Sequence, residues 1–139
     1  MKITAHFHSE EFDQPARHGL PLRPYPEKWI EYRLRPLCEA LEVIRTELGG
    51  RVIAILSGYR SEEYNRKING ARLSQHVEGR AADIQVSGYT AAGVEGIAMR
   101  LYAADKLRIG GLGLYPTFVH VDVRQGTRLA RWTGGRHET

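Results

Sequence analysis

Cysteine occurs once in the 139 residues, at Cys38, so no internal disulfide can staple the fold and a core must hold it. A chain of this length buries roughly 68% of the surface its unfolded form exposes, which suffices for one domain and makes a second unexpected. No apolar run approaches the ~20 residues that cross a bilayer. The opening MKITAHFHSEEF has neither the basic start nor the apolar stretch of a secretory signal, so the expectation is a chain that is soluble and begins in the cytoplasm. Internal repeats and low-complexity tracts are absent, which excludes solenoids and propellers. The glycine pair Gly111 and Gly113 has GxG spacing, but no Lys-Ser/Thr turn follows, so it is not a phosphate loop.

Lys and Arg outnumber Asp and Glu to give a net charge of +4. Charge of this sign permits an anionic partner, nucleic acid or cell-wall polymer, without requiring one. Neither a helix-turn-helix pattern nor interleaved basic and aromatic residues supports nucleic acid. The excess is partly local. Arg124, Arg128, Arg131 and Arg136 face a single acid, Glu138, in the last sixteen residues, which reads as a solvated basic edge or as a docking patch for an anionic polymer.

Residues 1–26 carry Pro15, Pro21, Pro24 and Pro26, which keep the segment extended or turning, so it is expected to wrap the surface. From Glu27 to Leu48 apolar residues recur at steps of three and four, the period of one helix face, until Gly49 and Gly50 stop it. Pro36 interrupts this pattern and predicts two helices or a kink near Arg35. Arg51 to Leu56 reads as a buried strand. Thr90 is a good N-cap for a helix through Tyr102. Arg80 to Val86 and Phe118 to Val123 read as strands. Alternation in the second puts Val119, Val121 and Val123 toward a core and Phe118, His120, Asp122 and Arg124 on the opposite face. The pattern predicts an α+β fold in a single domain, with N-terminal helices packed on a small, mostly antiparallel sheet.

The chemistry concentrates in residues 57–84, SGYRSEEYNRKINGARLSQHVEGRAADI, and in residues 118–124, FVHVDVR. Zinc takes imidazole nitrogen and carboxylate oxygen, and three protein ligands with an open fourth position make a catalytic site. His76, Asp83 and His120 would supply such a set, although three residues of these types are individually ordinary as surface or hydrogen-bonded groups. Gly58, Gly70 and Gly79 are candidates for tight turns that aim Arg60 and His76, and Gly110, Gly111 and Gly113 for shaping the approach to the last strand. Ser74 and Asn65 are substrate hydrogen-bonders or turn caps. Tyr59 is a cleft wall or part of the core.

SGYRS, SQHVEGRAADI and FVHVD, in this order, resemble the motifs of the zinc D-alanyl-D-alanine carboxypeptidase family of metallopeptidases. That family also takes in D,D-dipeptidases, phage endolysins that cut the L-alanyl-D-glutamate bond, and the zinc-bearing domain of hedgehog proteins. The likeness runs from HFHSEEF through GGLGLYP to Arg131-Trp132, nearly the whole chain. It implies one zinc ion held by His76, Asp83 and His120. It places Arg60 beside the metal, against a substrate carbonyl or carboxylate, which suits a planar guanidinium; a structural ion pair is the alternative. The implied substrate is the peptide stem of peptidoglycan, cut by a carboxypeptidase or an endopeptidase, and the endolysin relatives make a phage or prophage origin part of that expectation. No membrane insertion or nucleic acid is implied, and a monomer is compatible with the sequence.

The sequence departs from that pattern at one place. Many relatives carry an acid three positions before the last zinc histidine, or a histidine two positions before it. Thr117 and Phe118 stand there, and neither takes a proton at neutral pH. Asp122 is the nearest acidic substitute as general base. Otherwise it is ion-paired with Arg124 or Arg60, or it orients a ligand histidine. The missing acid also keeps open a zinc-bearing binding module that has lost turnover.

Overall fold

The computed structural model describes residues 1–126 and 128–135. Its elements are β1 (Lys2–Thr4), β2 (Phe7–His8), α1 (Arg35–Glu47), β3 (Ile53–Ser57), α2 (Glu62–Lys67), β4 (Ala81–Val86), α3 (Ala91–Ala103), β5 (Gly111–Leu114), β6 (Val119–Asp122) and β7 (Ala130–Thr133). β1 and β2 form a small antiparallel pair, and the other strands form a five-stranded sheet in the order β3-β4-β6-β5-β7. All its neighbours are antiparallel except β5 and β7. This is the α+β arrangement, with a mostly antiparallel sheet, that the sequence predicts.

Pro36 acts through its missing N–H. The chain enters α1 through a 3-10 turn, Glu27–Trp29, and a π-helical segment, Ile30–Leu34, in which the Arg35 amide reaches back to the Ile30 carbonyl. Pro36 then falls in the first turn of α1, where an intrahelical donor is not needed. The result is one continuous helical run whose pitch changes at the proline. Leu37, Cys38, Leu41 and Ile44 of α1 are wholly buried and join Ala98 and Leu101 of α3 and Ile84, Leu112, Val119 and Val121 of the sheet in one core. Thr90 caps α3 as expected, its side chain accepting from the Gly93 amide.

Three expectations need correction. Residues 1–26 do more than wrap the surface, because Ile3, Phe7, Phe12 and Tyr25 are buried in the core. The first strand of the sheet is not buried: β3 lies at the edge, with Val52 68% and Leu56 44% exposed, so only Ile53 and Ile55 face inward. The basic edge is also less free than its charges suggest. Arg124 pairs with Asp122 and Arg131 with Glu95, while Arg136 and Glu138 lie outside the described residues.

The glycine-rich run before Tyr115 forms a strand of its own, β5. In β5 a Cβ on Gly111 would collide with the Asp122 carboxylate, and one on Gly113 would come within 2.6 Å of the Trp132 indole. These glycines make room for side chains of the two flanking strands. Gly79 has φ +70, a left-handed turn as expected, whereas Gly58 and Gly70 are needed for close approach by Phe12 and Asn65.

Candidate metal centre

Strand alternation builds the site. Ala82, Ile84, Val119 and Val121 point to the core, so Asp83 and His120 must share the other face, and the β4–β6 register sets them directly opposite one another. The row continues across the sheet: Ser57 pairs with Asp83, and His120 pairs with Gly113, which pairs with Trp132. His76 enters from the loop before β4. There the Ser74 hydroxyl accepts from the His76 amide at 3.2 Å, so Ser74 serves as a turn cap.

His76, Asp83 and His120 are all buried, and one ligand atom from each lies within 4.8 Å of the others. His76 Nε2 is 3.1 Å and His120 Nδ1 is 3.2 Å from Asp83 Oδ1. The outer ring nitrogens fix what the inner ones can offer. His76 Nδ1 lies 2.7 Å from the Gly58 carbonyl, which can only accept, so Nδ1 carries the proton. His120 Nε2 lies 2.7 Å from Asp122 Oδ2 and donates to that carboxylate. In the neutral rings the lone pairs of His76 Nε2 and His120 Nδ1 therefore converge on the same space as a carboxylate oxygen. Two imidazoles and a carboxylate, each held from behind by a hydrogen-bond acceptor or a cation, make a donor set that fits a divalent cation.

The electrostatics agree. Burial lowers the pKa of His76 and keeps the ring neutral, with Asp83 opposing and Arg60 adding to the effect. Burial would raise Asp83, but His76 and His120 outweigh it and hold the carboxyl well below its usual range. Burial would lower His120, yet its bonds to Asp122 and Asp83 prevail and raise it.

Arg60 is 3% exposed and fully engaged on three sides. Its Nε donates to Ser57 Oγ (3.0 Å), one terminal nitrogen to Asn65 Oδ1 (3.1 Å) and the other to Asp83 Oδ2 (3.3 Å). The ion pair and the position beside the metal site are thus one arrangement. Burial pulls its pKa below the usual guanidinium value, with Asp83 opposing, and the group remains a cation. Asn65, a candidate substrate contact by sequence, instead braces Arg60 and ties it to the Ala71 carbonyl at 2.9 Å. Tyr59, partly buried, packs edge-on against Tyr25 and Trp29, 6.2 and 6.0 Å between ring centres, at the margin of the core.

Asp122 is wholly buried. Besides His120, its oxygens accept from the Arg124 side chain, at 2.9 Å from Nε and 2.6 Å from a terminal nitrogen, and from the Arg124 amide at 3.0 Å. Burial would raise its pKa, but His120 and Arg124 hold it well below the carboxylate range. A carboxylate enclosed in this way is placed to orient His120, the alternative that the sequence left open beside a general base. Thr117 is exposed and Phe118 stacks on Tyr115 with centres 4.6 Å apart, so neither position supplies an acid.

Sequence reading missed what stands behind His120. The Trp132 ring lies 5.0 Å from it, centre to centre, and the indole N–H donates to the Tyr115 hydroxyl at 3.0 Å. The likeness of GGLGLYP and Arg131-Trp132 to a family pattern was the available signal, but only the parallel pairing of β5 with β7 shows that the two motifs meet.

An opening of about 490 Å³ reaches this site at Asp83 and Arg60, and its lining also includes Arg17, Lys67, Leu56 and Phe118. Among known proteins, the chain is 39% identical over 88 residues to the probable peptidoglycan L,D-endopeptidase MepK of Haemophilus influenzae, an alignment covering 57% of this chain. The chain spans 44% of that relative's length. The peptidase M15 family model matches residues 6–122, a span that contains His76, Asp83, His120, Arg60 and Asp122, and this chain belongs to that family.

Proposed function

We propose that this chain is a zinc peptidase that hydrolyses a bond within the stem peptide of peptidoglycan, acting as an endopeptidase. The observation that carries the reading is the convergence of His76 Nε2, Asp83 Oδ1 and His120 Nδ1, with both outer ring nitrogens already bonded. The N,N,O donor set without thiolate suits zinc in a hydrolase. Bound there, zinc would supply Lewis acidity and lower the pKa of a water into the neutral range. The residues of the chain supply the rest. Arg60, locked by Ser57, Asn65 and Asp83, presents positive charge where a substrate carbonyl oxygen gains negative charge, and its rigidity means that no reorganisation is needed as that charge develops. Asp122 keeps the proton of His120 on Nε2. The name of the relative, an L,D-endopeptidase, supports cleavage inside the stem over removal of a terminal residue.

A zinc-bearing binding module without turnover is the second reading, favoured by exposed Thr117 and ring-stacked Phe118 where an acid would be expected. Mass spectrometry of purified peptidoglycan incubated with the protein separates the two. New stem-peptide termini that disappear with a chelator and return on titration with zinc are expected, and their chemistry identifies the bond. No release from protein shown to hold one zinc favours the binding module. A His120→Ala protein should lose both metal and activity, and one that stayed zinc-loaded and active would refute the ligand assignment.

A further inference from the structure

The opening to the metal centre has walls of one sign. Besides Arg60 it is lined by Arg17 and Lys67, and by His18, while the acid in its lining is Asp83, whose oxygens face His76, His120 and Arg60. Arg17 and Lys67 are exposed, and among the described residues neither has an acidic partner within ion-pair distance. Arg60 is balanced by Asp83, so Arg17 and Lys67 leave the opening with an excess of positive charge that an incoming anion would offset.

The wall that carries Arg17 is built to stay in place. Arg17 bridges Leu20 across a two-residue turn in which His18 and Gly19 have φ +58 and +77, the signs that a tight hairpin turn requires. The hairpin is fastened by Gln14, a wholly buried amide. Its backbone pairs with Arg23 at 2.9 and 3.0 Å, its Nε2 donates to the Pro21 carbonyl at 3.0 Å, and its Oε1 accepts from the Ser61 amide at 2.8 Å. Ser61 is the N-cap of α2, the helix that ends in Lys67. The His18 ring meets Tyr64 of α2 edge-on at 5.6 Å. Hairpin and helix are therefore joined as two sides of one cleft, each bearing a cation.

We propose that Arg17 and Lys67 form a carboxylate-reading subsite, so that the substrate is a peptide with a free carboxylate close to the scissile bond, distinct from any group held by Arg60. This inference deepens the peptidase reading and rests on it for the identity of the cleft. A long flexible lysine and an exposed arginine suit an acidic side chain or terminus approaching through solvent, and the attraction is of the kind that salt screens.

The test compares two synthetic stem-type peptides on the zinc-loaded protein, one with its carboxylates free and one with them amidated. Affinity is measured by calorimetry and turnover by mass spectrometry, for wild type, Arg17→Glu/Lys67→Glu and a charge-matched control, Lys106→Glu/Arg108→Glu, on exposed positions. Wild type and control should prefer the free acid by about tenfold or more in Kd or kcat/KM, and added salt should shrink that preference. The cleft variant should lose it, with the effect in KM. Equal handling of the two peptides by wild type, or a preference kept by the cleft variant, overturns the subsite. Hydrolysis of both peptides alike would leave the peptidase reading standing without the subsite. Preferential binding of the free acid without any hydrolysis would uphold the subsite and overturn the peptidase.

Discussion

Asp122→Asn separates a positioning carboxylate from a catalytic base. In the native site Asp122 Oδ2 accepts from His120 Nε2 at 2.7 Å and from Arg124 at 2.6 Å, while Oδ1 takes the Arg124 amide at 3.0 Å. Asparagine keeps the shape but replaces one acceptor oxygen with an N–H₂ group that must face a donor, either His120 or Arg124. If it faces His120, the ring gains by moving its proton to Nδ1, where Asp83 Oδ1 waits 3.2 Å away, and the lone pair offered to a metal is lost. Disturbing such a partner of a ligand histidine typically weakens metal binding about 10–100-fold, which is about 1.4–2.8 kcal/mol. The lost charge-assisted bonds should lower folding stability by a further ~1.5–3 kcal/mol, since the group is wholly buried. Competition with a chromogenic chelator near neutral pH gives the zinc Kd directly, and turnover with zinc in excess gives the chemistry. The expected result is weaker zinc binding with activity largely restored once the site is saturated. Unchanged zinc affinity with turnover reduced about 100-fold or more would refute this reasoning and restore Asp122 as the base.

Other consequences are as direct. Gly111→Ala should destabilise the fold by ~1–3 kcal/mol in chemical denaturation and weaken zinc binding as well, because the new methyl meets a carboxylate that His120 and Arg124 prevent from moving; Gly113→Ala, whose obstacle is the half-buried Trp132, should cost less. A reversed order would contradict the packing described. Trp132→Phe and Tyr115→Phe each remove one 3.0 Å hydrogen bond, and a double-mutant cycle should show a coupling of ~0.5–1.5 kcal/mol, whereas additivity would mean that the bond contributes nothing. Burial raises the pKa of both the Tyr25 phenol, which donates to the Gly79 carbonyl at 2.6 Å, and the Cys38 thiol. Folded values above unfolded ones mean that their stabilisation is complete below the unfolded pKa of about 8.5 for Cys and 10 for Tyr, and is lost above them at about 1.4 kcal/mol per pH unit per group. Melting temperature should therefore fall from about pH 8.5 upward and more steeply beyond 10, with Cys38→Ala removing the earlier part. A flat profile would show that these groups reach solvent in the folded state.

How much of this was legible beforehand depends on the range of the interaction that decides each feature. The faces of β6 were readable because alternation is a local rule: valines at 119 and 121 leave 120 and 122 no other side. Thr90 and the stop at Gly49-Gly50 were readable for the same reason. Pro36 was readable as an interruption but not as a π-helical turn, since that choice depends on which face of α1 the core demands. The edge position of β3 was not readable, because RVIAIL has the composition of a central strand and only the strand order exposes Val52 and Leu56.

At the metal centre the same boundary separates ligands from their supports. His76, Asp83 and His120 carry their chemistry in their side-chain types, which with spacing made them candidates, and the resemblance of SQHVEGRAADI and FVHVD to the peptidase motifs gave them as a ligand set. Their supports are mostly not chemistry-bearing residues: the Gly58 carbonyl, the absent Cβ atoms of Gly111 and Gly113, and a tryptophan from a strand that pairs in parallel with one nineteen residues earlier. Any residue type offers a backbone carbonyl, and glycine in a strand looks like a loop signal until its neighbours are known. Asp122 lay between the two cases. Its type left a base, an ion pair and an orienting role open, and only the enclosure of both oxygens, by His120 on one side and Arg124 on the other, shows that this carboxylate fixes which nitrogen of His120 is left free.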